Sequence, residues 1–231
     1  MRGRGAHDDS WVPPGMPWRF HPRVNTILRL TLLGLFAFAC FTIWGGAMIV
    51  RSPYETRQRE PREQPVPFSH EHHAGGLGID CRYCHQTVET SSFAGIPATR
   101  VCMNCHSEMW AVAPAIEPVR ESYRTGKSIE WTAVHKLPAF VYFDHSIHVH
   151  KGIGCSSCHG RVDKMPLTWQ EEPLTMEWCL DCHRNPAARV RPREKVFDMS
   201  YVAPANQAAL GAKLMREYDI HRLTSCSTCH R

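Results

Sequence analysis

The chain has 231 residues, of which 43% are hydrophobic, and it carries a formal net charge of +5. The positive excess lies in residues 1–51, which hold six arginines against two aspartates, whereas residues 52–231 are close to neutral. This distribution excludes a basic nucleic-acid-binding surface, and the length allows one or two domains.

The first predicted element is a membrane helix. The stretch from Leu30 to Val50 has no charged residue and is long enough to cross a bilayer. We assign residues 1–23 to a tail and 24–51 to a transmembrane helix. Arginines precede this helix, so the positive-inside rule predicts a cytoplasmic tail and an outer location for all later residues.

A cleaved signal peptide is the alternative interpretation of this segment. A weak cleavage or lipoprotein site precedes Cys40, but the apolar run continues to Val50. An uncleaved anchor is therefore favoured. Cys40 is then a small apolar residue in the bilayer, with lipidation as the other possibility.

Residues 52–67 contain four prolines among charged residues, which predicts an extended linker. The remaining residues, 68–231, contain five copies of Cys-x-x-Cys-His. Numbered in chain order as sites 1 to 5, they are Cys81/Cys84/His85, Cys102/Cys105/His106, Cys155/Cys158/His159, Cys179/Cys182/His183 and Cys226/Cys229/His230.

This motif is the attachment signature of a c-type haem, whose porphyrin bonds to both thiols and whose iron takes the histidine. Cysteine pairs can also bind zinc or act as redox dithiols. Zinc needs pairs that converge in twos, which an odd number of pairs does not supply, and a dithiol needs no adjacent histidine. The sequence therefore predicts five covalently bound c-type haems, and c-type attachment on the outer face of the membrane agrees with the predicted topology.

An internal repeat organises the sites. The copies begin with Phe68-Ser-His-Glu-His-His73 and Phe143-Asp-His-Ser-Ile-His148, and in each copy a Gly-Ile dipeptide shortly precedes the first motif. Sites 1 and 2 fall in residues 68–110, sites 3 and 4 in 135–186, and site 5 in 187–231. The predicted fold is mostly irregular, with short α-helices at the motifs, a helix from about Asn206 to Tyr218, and no strand.

Electron-transfer haems usually have a second, distal protein ligand. Two histidines three apart on a helical turn share a face and diverge enough to reach two irons. The pairs His70/His73 and His145/His148, called the histidine doublets below, are therefore candidates. His135 is a further candidate because its neighbours are apolar, and Met199 is a possible sixth, ahead of Met176. His72 and His150 are predicted to be solvated or bonded to propionates, and His221 is left open. The predicted distal ligands are His70, His73, His135, His145 and His148.

The doublets followed by Cys-x-x-Cys-His resemble the small multihaem class III cytochromes. That resemblance implies class III-like haem packing. It also implies that His70 ligates the iron of site 1 and His145 that of site 3, while His73 and His148 each reach another haem.

Two longer stretches, 67–106 and 143–186, together with the N-terminal anchor and the terminal motif, resemble the membrane-anchored pentahaem cytochrome c subunit of bacterial alternative complex III. This resemblance implies an electron-relay subunit in the inner membrane, not an enzyme on its own, with its haem domain in the periplasm. Its implied partners are an iron–sulfur subunit similar to molybdopterin enzymes, polytopic quinone-binding subunits, a monohaem cytochrome c and a periplasmic acceptor.

The alternative function is a stand-alone membrane-anchored multihaem quinol dehydrogenase. A catalytic multihaem reductase is disfavoured because all five motifs keep histidine, where such enzymes often carry lysine at an open iron. A structural or haem-storage protein is disfavoured by the anchor and the histidine doublets.

Overall fold

A computed structural model describes residues 23–230. The chain divides into two units, one ending at Ile49 and the other beginning at Val50. The predicted tail, apart from Arg23, lies outside the described residues.

Helix α1 spans Val24–Arg51 and is apolar on every side. None of its residues is buried, and large side chains such as Phe36 and Ile43 are 70% and 74% exposed. A helix that is hydrophobic all round belongs in an apolar surrounding. Among the described residues it is the one helix long and apolar enough to span a membrane, a property that signal sequences share.

The second unit consists of short helices joined by irregular segments. Its α-helices are α2 (Pro53–Thr56), α3 (Cys81–Cys84), α4 (Thr99–His106), α5 (Glu117–Thr125), α6 (His145–His150), α7 (Ser156–His159), α8 (Met176–Arg184), α9 (Gln207–Glu217) and α10 (Cys226–Cys229). A π-helical turn covers Glu71–Gly76, and 3-10 turns cover Pro114–Ile116, Val162–Lys164, Pro186–Ala188 and Arg193–Lys195. Residues 23–230 contain isolated bridges but no strand, which confirms the predicted fold class.

The apolar core of this unit is small. One cluster joins Val66, Ile116 and Val119, and a second joins Val190, Leu214 and Tyr218. Few other hydrophobic side chains are buried in the described residues. Such small clusters do not bury enough apolar surface to order so many loops, so the unit needs another source of apolar contact.

Residues 52–67 are not a free linker in the structure. Arg59 N–H donates to the carbonyl oxygen of Gln170 at 2.8 Å, and the Gln64 side chain exchanges two hydrogen bonds of 2.9 Å with the backbone of Thr132. Val66 is buried. The proline-rich composition predicted an extended linker, but the segment begins with the short helix α2, and backbone and apolar contacts fix it to the domain.

Helix α5 was not predicted, although its sequence carries both end signals. Pro118 lies in the first turn, where its missing N–H costs nothing, and Gly126 follows the last turn with a φ of 71°. Val119 and Ser122 form its buried face.

Candidate haem-binding sites

Each attachment motif lies on one helical turn. In sites 1, 3 and 5 the histidine N–H donates to the carbonyl oxygen of the first cysteine, at 2.8, 2.9 and 2.9 Å. Sites 2 and 4 lie within α4 and α8. Residues i, i+3 and i+4 share a helix face, so both thiols and the imidazole lie on the same side of the turn.

The ten motif cysteines differ in exposure. Cys105 of site 2 and Cys226 of site 5 are exposed, whereas the other eight are partly buried. The chain therefore does not enclose Cys105 as it encloses Cys102, its partner in the same motif. The burial of Cys105 therefore does not support haem attachment at this residue. The attachment stays a prediction that rests on the motif and on the helical turn. A haem bonded there would lie at the surface of the domain.

Four of the proximal histidines face a second imidazole. The ring centroids are 6.4, 6.1, 6.3 and 6.2 Å apart for the pairs His70–His85, His73–His106, His145–His159 and His148–His183. Two imidazole nitrogens bound at about 2 Å to one metal ion place their ring centroids about 6 Å apart. The spacing therefore fits one metal ion between the rings of each pair.

The Nδ1 atoms of most of these histidines contact backbone carbonyl oxygens. The separations are 2.6–3.1 Å for His73, His85, His106, His145, His148, His183 and His230. A carbonyl oxygen can only accept, so Nδ1 carries the proton. Nε2 then keeps its lone pair for a metal ion, and the hydrogen bond fixes the ring orientation.

Burial keeps several of these imidazoles neutral. It lowers the pKa of His70 to about 4 and that of His159 to about 3, with neighbouring histidines adding to the effect. Burial also lowers the pKa of His148. A metal ion binds neutral imidazole, so at neutral pH these rings can bind one without first releasing a proton.

Corresponding phenylalanines hold the two histidine doublets. Phe68 stacks on His73 and Phe143 stacks on His148, each at 4.5 Å between centroids. Each phenylalanine also meets the first histidine of its doublet edge-on, at 4.9 and 4.8 Å. The repeat in the sequence is therefore a repeat in three dimensions, down to ring orientation.

Two of the Nδ1 contacts join the two copies of the repeat. Nδ1 of His145 lies 2.8 Å from the carbonyl oxygen of Ser92, which follows site 1. Nδ1 of His70 lies 2.9 Å from the hydroxyl oxygen of Thr168, which follows site 3. Neither Ser92 nor Thr168 was indicated by any sequence pattern, because each acts from the other copy.

The three histidines of residues 68–231 outside the predicted ligand set have Nε2 engaged or an exposed ring. Nε2 of His150 lies 2.9 Å from the carbonyl oxygen of Glu89, and Nε2 of His221 lies 2.9 Å from the Asp219 carboxylate. His72 is exposed. None of the three pairs with a proximal imidazole in the described residues.

The structure places His135 next to His159 of site 3 and Met199 near Cys81 of site 1. Nε2 of His135 lies 3.2 Å from Nδ1 of His159, so this arrangement does not offer Nε2 to a metal ion. Met199 lines a cavity of about 300 Å³ that also borders Cys81. Their roles as ligands stay predictions.

Comparison with known proteins gives the family. Residues 47–125 match the model of the class III cytochrome c family, and residues 141–231 match that of cytochrome c7 and related cytochromes c. The chain is 32% identical over 145 residues to the menaquinone reductase, multiheme cytochrome c subunit, of Nitratidesulfovibrio vulgaris, covering 54% of this chain and 69% of that protein. The chain belongs to the multihaem cytochrome c family. This cytochrome therefore binds c-type haem covalently and transfers electrons, and haem supplies the apolar contact that the sparse core lacks.

Replacing Thr168 with valine should raise the reduction potential of one haem of the cytochrome. In the predicted site 1, the hydrogen bond from Nδ1 of His70 to Thr168 would make the ring a stronger electron donor to iron and so favour oxidised iron. A net loss of about 1 kcal/mol corresponds to a rise of roughly 40 mV for a one-electron couple. Spectroelectrochemical titration measures it. Thr168→Ser keeps the hydroxyl and should behave as wild type; equal shifts in both variants would contradict the role.

Proposed function

We propose that this cytochrome is a membrane-anchored electron-transfer subunit that carries five c-type haems. It would connect a quinone-linked membrane complex with a periplasmic electron carrier. The four imidazole pairs are the observation that carries the proposal. Each pair offers an iron two protein ligands and leaves no position for a substrate, which is typical of electron carriers.

The haem iron, when bound, supplies one-electron transfer by alternating between its ferric and ferrous states. The protein holds and orients it. We assign attachment to the ten motif cysteines and the proximal role to His85, His106, His159, His183 and His230. We assign the distal role at sites 1 to 4 to His70, His73, His145 and His148.

We further propose that the complex is of the alternative complex III type, with quinol oxidised in another subunit. The partners would be an iron–sulfur subunit, polytopic quinone-binding subunits and a monohaem cytochrome c. Helix α1 supports a single-pass anchor, and the arginines before it support an outer, periplasmic haem domain.

A second candidate function reverses the direction of electron flow. The relative from N. vulgaris is described as a subunit of a menaquinone reductase. A related role here would take electrons from a periplasmic donor and deliver them to a quinone-reducing complex. The imidazole pairs suit both directions equally.

Purification of the chain from its native membranes through an N-terminal tag should yield a multisubunit complex. The tag stays clear of His230 at the other end. We expect an iron–sulfur subunit and polytopic subunits to copurify, mass spectrometry of this chain to show five attached haems, and the complex to oxidise quinol. An untagged strain controls for background.

The outcomes separate the candidates. Quinone reduction by the complex, without quinol oxidation, would support the second. Isolation of the chain alone with quinol dehydrogenase activity would contradict both and support a stand-alone enzyme. Fewer than five haems would contradict the pentahaem assignment.

A further inference from the structure

Sites 1 and 3 are neighbours in space although site 2 lies between them in the chain. The side chains of Cys81 and Cys155, the first cysteines of these sites, lie close enough to interact. In the haem-loaded protein these sulfurs are thioethers, so the same two positions mark the edges at which the two porphyrins are attached.

The histidines of the two sites are supported reciprocally. The segment after site 1 supplies Ser92 to His145 of site 3, and the segment after site 3 supplies Thr168 to His70 of site 1. The backbone makes the same exchange, because Ser146 N–H donates to Ser91 at 3.2 Å and Glu71 N–H donates to Met165 at 3.1 Å. Each copy thus completes the other copy's first site.

Site 2 is also a neighbour of site 1. The amide of Asn104, inside motif 2, donates to the hydroxyl of Tyr83, inside motif 1, at 3.0 Å. Phe68 contacts both His70 of site 1 and His73 of site 2.

The second copy continues in the same way towards site 5. Phe143 contacts both His145 of site 3 and His148 of site 4. Nδ1 of His183 in site 4 lies 3.0 Å from the carbonyl oxygen of Leu223, which leads into site 5.

The exposure of the motif cysteines distinguishes sites 2 and 5 from the others. Each of these two sites has one exposed cysteine, Cys105 and Cys226, whereas every motif cysteine of sites 1, 3 and 4 is partly buried. Electron exchange with a partner protein requires a haem close to the surface. Sites 2 and 5 are therefore suited to the two ends of a route through the domain.

We propose that the electron route follows the order of sites 2–1–3–4–5, with its two ends at sites 2 and 5. This proposal rests on the proposed function. The internal duplication explains the order, because the two copies meet through their first sites and point their second sites outwards. Along this route, the two sites of the first copy therefore come in the reverse of their order in the chain, and those of the second copy come in chain order.

The interaction between individual haems tests this order. Methionine ligation raises a haem's potential, so a His→Met substitution makes its site accept an electron earlier. That charge lowers the potential of an adjacent site that is reduced later. His70→Met and His73→Met are matched, since both side chains belong to one turn but serve sites 1 and 2. His145→Met alters site 3 and identifies its signal in an NMR-monitored redox titration of the full-length haem-loaded protein.

We expect sites 1 and 3 to interact. If site 1 is reduced second in the wild type, the reduction potential of site 3 should fall in His70→Met. If site 3 is reduced second, the reduction potential of site 1 should fall in His145→Met. Site 3 should not respond to His73→Met, nor site 2 to His145→Met. A response between sites 2 and 3, or none between sites 1 and 3, would overturn the order. Loss of the five-haem complement would instead show in the mass of the protein and overturn the proposed function.

Discussion

Replacing His145 with alanine should produce one additional high-spin haem per chain that binds carbon monoxide. The ring of His145 is parallel to that of His159 to within 10° at 6.3 Å, and both are at least half-buried. Without it, the iron of site 3 keeps one protein ligand and gains an open position. Absorption spectroscopy of the reduced protein with and without carbon monoxide measures the change against the wild type.

The same variant should interrupt electron transfer between sites 2 and 5, because site 3 lies in the middle of the proposed route. His150→Ala is the matched control on helix α6. Nε2 of His150 contacts the backbone of Glu89, so its loss should open no iron. Carbon monoxide binding above the wild-type level in the control, or no additional binding in His145→Ala, would contradict the ligand assignment.

Much of the candidate site could be predicted from the sequence because the residues that form each part of it lie a few positions apart in the chain. The doublets lie on single turns, and the motifs form one-turn helices whose geometry follows from the i, i+3 and i+4 positions. The resemblance to class III cytochromes implied that His70 serves site 1 and His145 serves site 3, and the ring pairs have this arrangement. It left open which haem the second histidines reach. The structure pairs them with His106 and His183.

The rest depended on tertiary contacts that no spacing reveals. Thr168 and Ser92 meet histidines of the other copy across 98 and 53 residues of sequence. The apolar neighbours of His135 made it a candidate ligand, and burial lowers its pKa to about 4. They could not show which way Nε2 points, because orientation depends on His159, a residue distant in the chain.

The exposure of Cys105 was equally invisible in the sequence. All five motifs have the same spacing, so nothing in their pattern separates Cys105 from the partly buried Cys102 three residues earlier. The difference arises from packing, because Cys102 packs against the cluster of Val66, Ile116 and Val119. A motif therefore predicts the bonds that its residues form but not how deeply each residue lies.

Arg191 shows the same limit for a charged residue. No sequence pattern singles it out, yet it is buried against the turn of site 3. Its guanidinium donates to the hydroxyls of Ser156 and Ser157 and lies 4.5 Å from the centroid of the Tyr201 ring. Serine at both variable positions of motif 3 is thereby explained as a pair of acceptors.

Replacing Gly75 with alanine should destabilise the haem domain by about 3 kcal/mol. A Cβ at Gly75 would overlap the backbone carbonyl of Asp163 in the other copy, and backbone cannot move aside cheaply. Because this contact joins the copies whose first sites are adjacent, the substitution strains the meeting of sites 1 and 3. For a domain of this size the apparent Tm should fall by roughly 6–12 °C, measured by circular dichroism on the haem-loaded protein.

Gly76→Ala is the matched control one residue away. The nearest atom to a Cβ there is the Glu71 carbonyl oxygen at 3.6 Å, an ordinary contact, and neither glycine has a positive φ. Ala at this position should be neutral or stabilise slightly, because it restricts the unfolded chain. If both variants lost the same stability, the turn itself would be responsible. The close approach of the two copies at Gly75 would then carry no special weight, since only a selective loss in Gly75→Ala places the strain between them.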